Sequence, residues 1–294
     1  MSISIAPLKG MAMGIRRNAG AKTVAGMIGT AMALALSACG GSNAETATTL
    51  TTIEPGVLKV CLYPGFAPFA IRDDGGWSGW DPAYLSAFAE QQGLTFEPVE
   101  VSTFNDIWMR PGNDECDVAG TGITETAERI QQTGQSIAWT DHYYSVARSL
   151  AVRAGTTIDS VEDLAGTTVV TTKGATADID LLARIKAAGL TDVTVEYVND
   201  EAVGTRRVAE AGPDGPIAFA AGVGSIDVLA DSIPGIEATW IHCMMLPDGT
   251  ETSEPFAFTV REQSTGLAKA LNAFIAAPTL PYPGGPGSGL DCPK

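Results

Sequence analysis

Apolar and polar positions along the chain follow two rhythms, and the chain switches between them repeatedly from position 57 onward. Short runs rich in β-branched and apolar residues predict strands at Val57–Leu62, Thr95–Val101, Cys116–Gly120 and Val146–Val152. The same pattern predicts strands at Thr167–Thr171, Val193–Val198, Pro216–Gly222 and Phe256–Val260. Between them, helical spacing predicts Asp81–Gln92 with Pro82 in its first turn, Ala177–Ala188 ended by Gly189, and Ala202–Ala211. A further helix starts at Ile226–Leu229, and a last one covers Leu267–Ala276. Ser160 is placed to cap a short helix over Ser160–Leu164. Strands alternating with helices of this length imply an α/β fold on parallel sheets.

The ends of the chain break both rhythms. Met1–Ala38 has no acidic residue and carries Lys9, Arg16, Arg17 and Lys22; an apolar, small-residue run then closes on Leu36-Ser37-Ala38-Cys39-Gly40. A basic start, a short apolar stretch and small residues before a cut form a secretory signal. Cysteine directly after Leu-Ser-Ala adds a lipobox, so residues 1–38 read as a lipoprotein signal peptide and Cys39 as the lipidated first residue. The run is too short and too rich in Gly and Ala to span a bilayer well. Residues 39–56, nearly devoid of large apolar side chains, read as a flexible tether. Pro278–Lys294 is Pro/Gly-rich coil. The expected location is outside the cell membrane, anchored to its outer face.

Charge narrows the partners. The full chain carries −16, and removing the signal's four positive charges takes it to −20. That acidity argues against nucleic acid or an anionic membrane surface as a partner. It leaves the ligand open, because a pocket has its own local field. The two histidines, His142 and His242, and the cysteines show no zinc spacing, so neither a metal nor another cofactor is expected.

Several short motifs occur in a telling order. Leu58-Lys59-Val60 is followed by Tyr63-Pro64-Gly65-Phe66-Ala67-Pro68-Phe69, then by Gly79-Trp80-Asp81 and Cys116-Asp117-Val118-Ala119-Gly120. Thr126-Ala127-Glu128-Arg129 and Thr140-Asp141-His142-Tyr143-Tyr144 come next, then Ser160–Leu164 with Gly166, and Lys173-Gly174-Ala175-Thr176-Ala177. Over about residues 57–275 this series resembles the bacterial extracellular solute-binding proteins of family 3, the group that includes polar amino-acid receptors of ABC importers. The resemblance implies a two-lobe, type II periplasmic-binding-protein-like α/β fold, with a ligand cleft between lobes joined by two crossing strands. It places lobe 1 at 55–147 plus 255–294 and lobe 2 at 148–254. It also implies a monomeric receptor that closes about its hinge and passes a solute to a membrane permease.

The same resemblance assigns a site. Arg129 would grip the solute's carboxylate, a role that suits the planar guanidinium fork; by itself it could equally be a surface arginine paired with Glu125 or Glu128. Thr176, in a Gly-containing turn before a helix, would hold that carboxylate from the second lobe, or simply cap the helix. Thr121, Gly122 and Thr124 would offer backbone and hydroxyl contacts. Tyr63, Phe66 and Trp80 would line the first-lobe pocket, while Phe69, Trp108 and Trp139 read as core. The segment Ala220-Ala221-Gly222-Val223-Gly224-Ser225 departs from the family, whose α-amino-acid receptors carry an ammonium-binding aspartate there. The solute then lacks a primary ammonium, or aromatic rings hold its cation, or Asp227 reaches in.

Beyond Cys39 the chain has Cys61, Cys116, Cys243 and Cys292, which allow three pairings. Cys61 ends one strand and Cys116 begins its expected neighbour, so Cys61–Cys116 with Cys243–Cys292 is the preferred pattern; inert buried thiols are the alternative. The expected solute is a small carboxylate or zwitterion such as an amino acid, a derivative of one or an organic acid. The competing reading is a cyclohexadienyl-dehydratase-like enzyme on the same scaffold. It needs a positioned acid or base in the cleft, for which only Asp227 or Asp141 stands out. A sensing module for a signalling partner is disfavoured by the lipobox and the lack of a cytoplasmic domain.

Overall fold

The computed structural model describes residues 50–277. The expected signal peptide, Cys39, the first part of the tether, and the tail 278–294 with Cys292 lie outside the described residues.

The first sheet begins with β1 (Val57–Leu62). A hairpin of β2 (Ile71–Asp73) and β3 (Gly76–Ser78) leads into helix α1 (Trp80–Gln91). Then follow β4 (Thr95–Glu100), β5 (Val118–Ala119), helix α2 (Ala127–Thr133) and β6 (Ile137–Trp139). Strand β7 (Tyr144–Val146) leaves this body and runs on into β8 (Arg148–Arg153) of the second. There β9 (Thr168–Thr172), α3 (Thr176–Ala187), β10 (Thr194–Val198), α4 (Glu201–Ala209), β11 (Ala218–Gly222) and α5 (Val223–Ser232) follow in turn. Strand β12 (Ile236–His242) and a small hairpin, β13 (Met244–Met245) with β14 (Glu251–Thr252), complete it. The chain returns through β15 (Glu254–Phe256) to β16 (Thr259–Arg261) and α6 (Leu267–Ala276).

Each body is built on five strands, in the order β4-β1-β5-β16-β6 and β10-β9-β11-β8-β12. The sheets are mixed rather than parallel, which corrects the sequence expectation. Strand β1 runs parallel to β4 and β5, and β9 runs parallel to β10 and β11. Strand β16 is antiparallel to both its neighbours, and so is β8. These reversed strands are the ones that arrive from the other body. A helical crossover forces successive strands parallel; β8 and β16 are entered directly from β7 and β15, so no helix sets their direction. Strands β7 and β15 pair with each other, Tyr144 opposite Phe256 and Val146 opposite Glu254, and form the double hinge.

Both faces of the second sheet are covered, so its strands bury alternate residues in opposite directions. Leu150, Val152, Val169, Ala218 and Ala220 pack on one side. Ala151, Val170, Phe219 and Ala221 pack on the other with Ile226 and Leu229 of α5. Ser160 forms a capping box with Asp163 at the start of a short 3₁₀ helix, as its position suggested.

Cys61 and Cys116 form a disulfide with a Cα separation of 5.7 Å, within reach because β1 and β5 are adjacent. Cys243 is also disulfide-bonded, but its partner is not among the described residues. The last part of the expected tether is tied down. Thr51 N–H donates to Thr265 O at 3.2 Å, and Ile53 N–H to Asp117 Oδ1 at 2.8 Å. No helix among the described residues is long and apolar enough to cross a membrane.

Candidate functional site

The segments that follow β1, β5, β9, β10 and β11 all meet between the two bodies, at the carboxyl ends of those strands. In open α/β sheets this is where ligands bind, because crossover loops diverge there and leave a crevice. After β1, the Tyr63 hydroxyl donates across the gap to Asn199 O, and Glu201 N–H donates to Gly65 O at 3.0 Å. The Phe66 ring stacks on Phe104 at 4.9 Å. After β5 the backbone turns through Thr121 (φ 88°) and Gly122 (φ 58°). A threonine is strained at such an angle. The buried Asp81 carboxylate holds it there by accepting both N–H groups at Oδ2, while the Tyr143 hydroxyl donates to the same carboxylate. Burial pushes Asp81 up to about 7 against the pull of those hydrogen bonds. A Cβ at Gly122 would lie only 3.0–3.3 Å from the rings of Phe256, Phe69 and Phe66, so a larger residue there would push on those rings.

Arg129 stands on α2, capped by Thr126, whose hydroxyl accepts the Arg129 N–H. Arg129 is 2% exposed, which rules out the surface-arginine reading. Nη1 donates to Thr124 O at 2.8 Å, and Nη2 donates across the gap to Gly174 O at 3.1 Å. The guanidinium lies 4.1 Å over the Trp108 ring. Trp108 is core, as expected, but it is also the platform that orients the arginine. Burial lowers Arg129 to about 10, so it stays charged at neutral pH. From the second body, Thr176 is the first residue of α3 and not its cap, which is Ala175. The Thr176 and Thr124 hydroxyls are 3.4 Å apart.

Tyr63, Phe66, Thr121, Gly122, Thr124, Arg129 and Thr176 thus gather around one crevice. Trp80 is placed elsewhere: its ring stacks on Tyr84 at 4.3 Å and on Tyr143 at 5.1 Å in the first body's core. Asp141 and Asp227, the carboxylates that stood out in the sequence, are both exposed. The buried acids of the crevice are others. Glu254 on β15 ion-pairs with Arg148 on β8, and Glu201 opens α4. Burial pushes Glu254 up to about 7 and Glu201 to about 8; Arg148 opposes the shift in both. The signal for these residues was present in the sequence. Arg148 interrupts an apolar strand, and Glu254 stands two residues before Phe256 at the start of the return crossing. Nothing in their spacing tied them together.

Two α/β bodies, a paired-strand hinge and a crevice between them that holds the buried Arg129 define the class of two-lobe solute-binding proteins. The chain belongs to the bacterial extracellular solute-binding proteins, family 3, which it matches over residues 58–279. Among similar proteins, a probable histidine-binding protein of Neisseria gonorrhoeae is 26% identical over 243 residues, 82% of this chain and 84% of that protein. The arginine-bound form of truncated ArgBP from T. maritima superposes with a TM-score of 0.62 at 21% identity, over 75% of this chain and 95% of that one. The ancestral amino acid-binding protein AncCDT-1, described as a precursor of cyclohexadienyl dehydratase, gives 0.59 at 20% identity, over 75% and 88%. At such identities the structural likeness speaks for the fold alone.

Proposed function

We propose that the protein is the solute receptor of an ABC importer, held at the outer membrane face through Cys39. It captures a small carboxylate-bearing solute, an amino acid or a close derivative, and hands it to a membrane permease after hinge closure. The observation that carries this reading is Arg129: a buried, charged guanidinium whose two terminal nitrogens reach both sides of the crevice. A carboxylate entering there would exchange two carbonyl acceptors for charge-assisted, bidentate hydrogen bonds, the stronger kind. Thr176 and the first turn of α3 would complete the grip from the second lobe, where helix N-terminal N–H groups favour an anion. Tyr63 and Phe66 would wall the solute's body.

A thermal-shift series with the twenty L-amino acids tests this. At least one should raise the melting temperature, and flat curves throughout would contradict the reading. A Cys39→Ala change should release the protein from the membrane fraction; full retention would remove the anchor.

One observation favours a second reading, an acid–base enzyme of the cyclohexadienyl dehydratase type. Glu201 and Glu254 sit buried in the crevice and are shifted toward neutral pH, as a general acid requires. Turnover of prephenate would establish that activity. Solute-induced stabilisation without product favours the receptor.

A further inference from the structure

The hinge side of the crevice holds more charge than a carboxylate grip needs. Glu254 is 0% exposed and Glu201 3%, and Arg148 lies beside them at 4%. Arg148 pairs with Glu254, yet neither Glu254 oxygen is taken up by an aligned hydrogen bond, and Glu201 Oε2 and Arg148 Nε are likewise unpartnered. Buried acceptors without donors are rare because each forfeits the hydrogen bonds it had in water. The chain supplies donors only in part: Arg148 pairs with Glu254, and the Thr176 and Ser225 hydroxyls approach Glu254 and Glu201, which leaves acceptor capacity for a further donor.

We propose that Glu254 and Glu201 form the cation-binding half of the crevice and take the ammonium group of a zwitterionic solute whose carboxylate rests on Arg129. The proposal rests on the receptor reading above and names the solute class. Charge balance supports it. An ammonium between Glu254 and Glu201 favours their ionised forms while Arg129 takes the carboxylate, so each charged end of a zwitterion meets the opposite charge, whereas a simple anion leaves the acidic side unused. Thr176 stands between the two halves: its hydroxyl lies 3.4 Å from that of Thr124, whose carbonyl accepts from Arg129, and the same Thr176 hydroxyl reaches Glu254. Steric room points the same way. A Cβ on Gly222 would lie 2.8 Å from Val146 and 3.2 Å from the Arg148 guanidinium, so position 222 has no space for an acidic side chain. The acids come instead from the hinge strand β15 and from the first turn of α4. That turn is tied to the first lobe through Glu201 N–H and Gly65 O, so the ammonium subsite is complete only when the lobes are together.

The test uses calorimetry on the whole protein with its best-binding L-amino acid and the same molecule lacking the α-ammonium group. The unaltered protein should prefer the amino acid by about 100-fold, the scale of one buried charge-assisted contact. Glu254→Gln and Glu201→Gln should each cut that preference about tenfold or more, with affinity for the deamino acid changed less than about threefold. If Glu254→Gln does not fold, Glu254→Asp, which keeps the charge and withdraws it, should show the same selective loss. Unchanged preference in these variants overturns the proposal. In that case the receptor reading still stands if Arg129→Met abolishes binding of both molecules. If no L-amino acid and no deamino acid binds, both fall together.

Discussion

Replacing Arg129 by methionine separates recognition from folding. Methionine keeps most of the side-chain volume over Trp108 and removes only the charged fork. Arg129 is 2% exposed, and burial lowers its pKa only to about 10, so an incoming carboxylate meets a full positive charge in a poorly solvated place. Removing one partner of a buried, hydrogen-bonded charge pair costs about 2–5 kcal/mol of binding, roughly a 30- to 5,000-fold rise in Kd. Stability should respond differently. The variant loses a cation–π contact worth about 0.5–2 kcal/mol and the bonds to Thr124 O and Gly174 O, but it no longer buries a charge, which offsets much of that loss. A net change within about 2 kcal/mol moves Tm by under roughly 8 °C in a body of this size. Calorimetric titration and thermal melts of the same preparation give both numbers. Arg129→Lys, with charge but no planar fork, should fall between the two. Retention of amino-acid affinity within about threefold in the methionine variant would refute the assigned grip, since that is under 1 kcal/mol.

Other consequences follow from the geometry. Tyr63→Phe removes the hydroxyl that reaches Asn199 O, so solute binding should weaken about 2- to 13-fold for a bond worth about 0.5–1.5 kcal/mol, and small-angle scattering should show a more open average shape; equal affinity and shape would contradict a closure role. Removing the Cys61–Cys116 bridge, which spans 55 residues, should cost about 4 kcal/mol on the chain-entropy estimate, read by urea unfolding; a loss below about 1 kcal/mol would show that the bridge constrains little. Glu201 is an acid raised to about 8 by burial, with Ser225 and Arg148 pulling it down and Asp200 pushing it up. A raised acid contributes stability that is complete below its unfolded value and fades as pH rises through the folded one. Between about pH 5 and 8 that single group should therefore lower the stability steadily as pH rises. Glu201→Gln should flatten the rise in stability on acidification, and an identical slope would mean the acid is not held protonated.

Much of the element order was legible from periodicity alone. β1 and α6 begin and end where the apolar pattern begins and ends, because each is a single uniform rhythm bounded by Gly or a break. Strand direction was not legible. An apolar run such as Leu150–Val152 reads the same whichever way it lies in a sheet, and only the missing crossover helix before β8 hints at reversal. The carboxylate side of the crevice, Arg129 with Thr124 and Thr176, could be reached through motif order. The acidic side could not, because Arg148 and Glu254 meet only when the two crossing strands pair, a contact between distant stretches of chain. Asp81 was visible as part of Gly79-Trp80-Asp81, but its work of pinning Thr121 at a positive φ depends on a neighbour brought in by β5. Trp80 shows the converse: its place in the motif suggested the pocket, while its stacking on Tyr84 and Tyr143 puts it in the core.

The most direct check is a crystal structure of the protein with its best-binding L-amino acid. The account places the solute between the lobes, with its carboxylate oxygens about 2.7–2.9 Å from the Arg129 guanidinium nitrogens and its ammonium facing Glu254 and Glu201. A solute seated outside the crevice, or within it with the carboxylate turned away from Arg129, would contradict it.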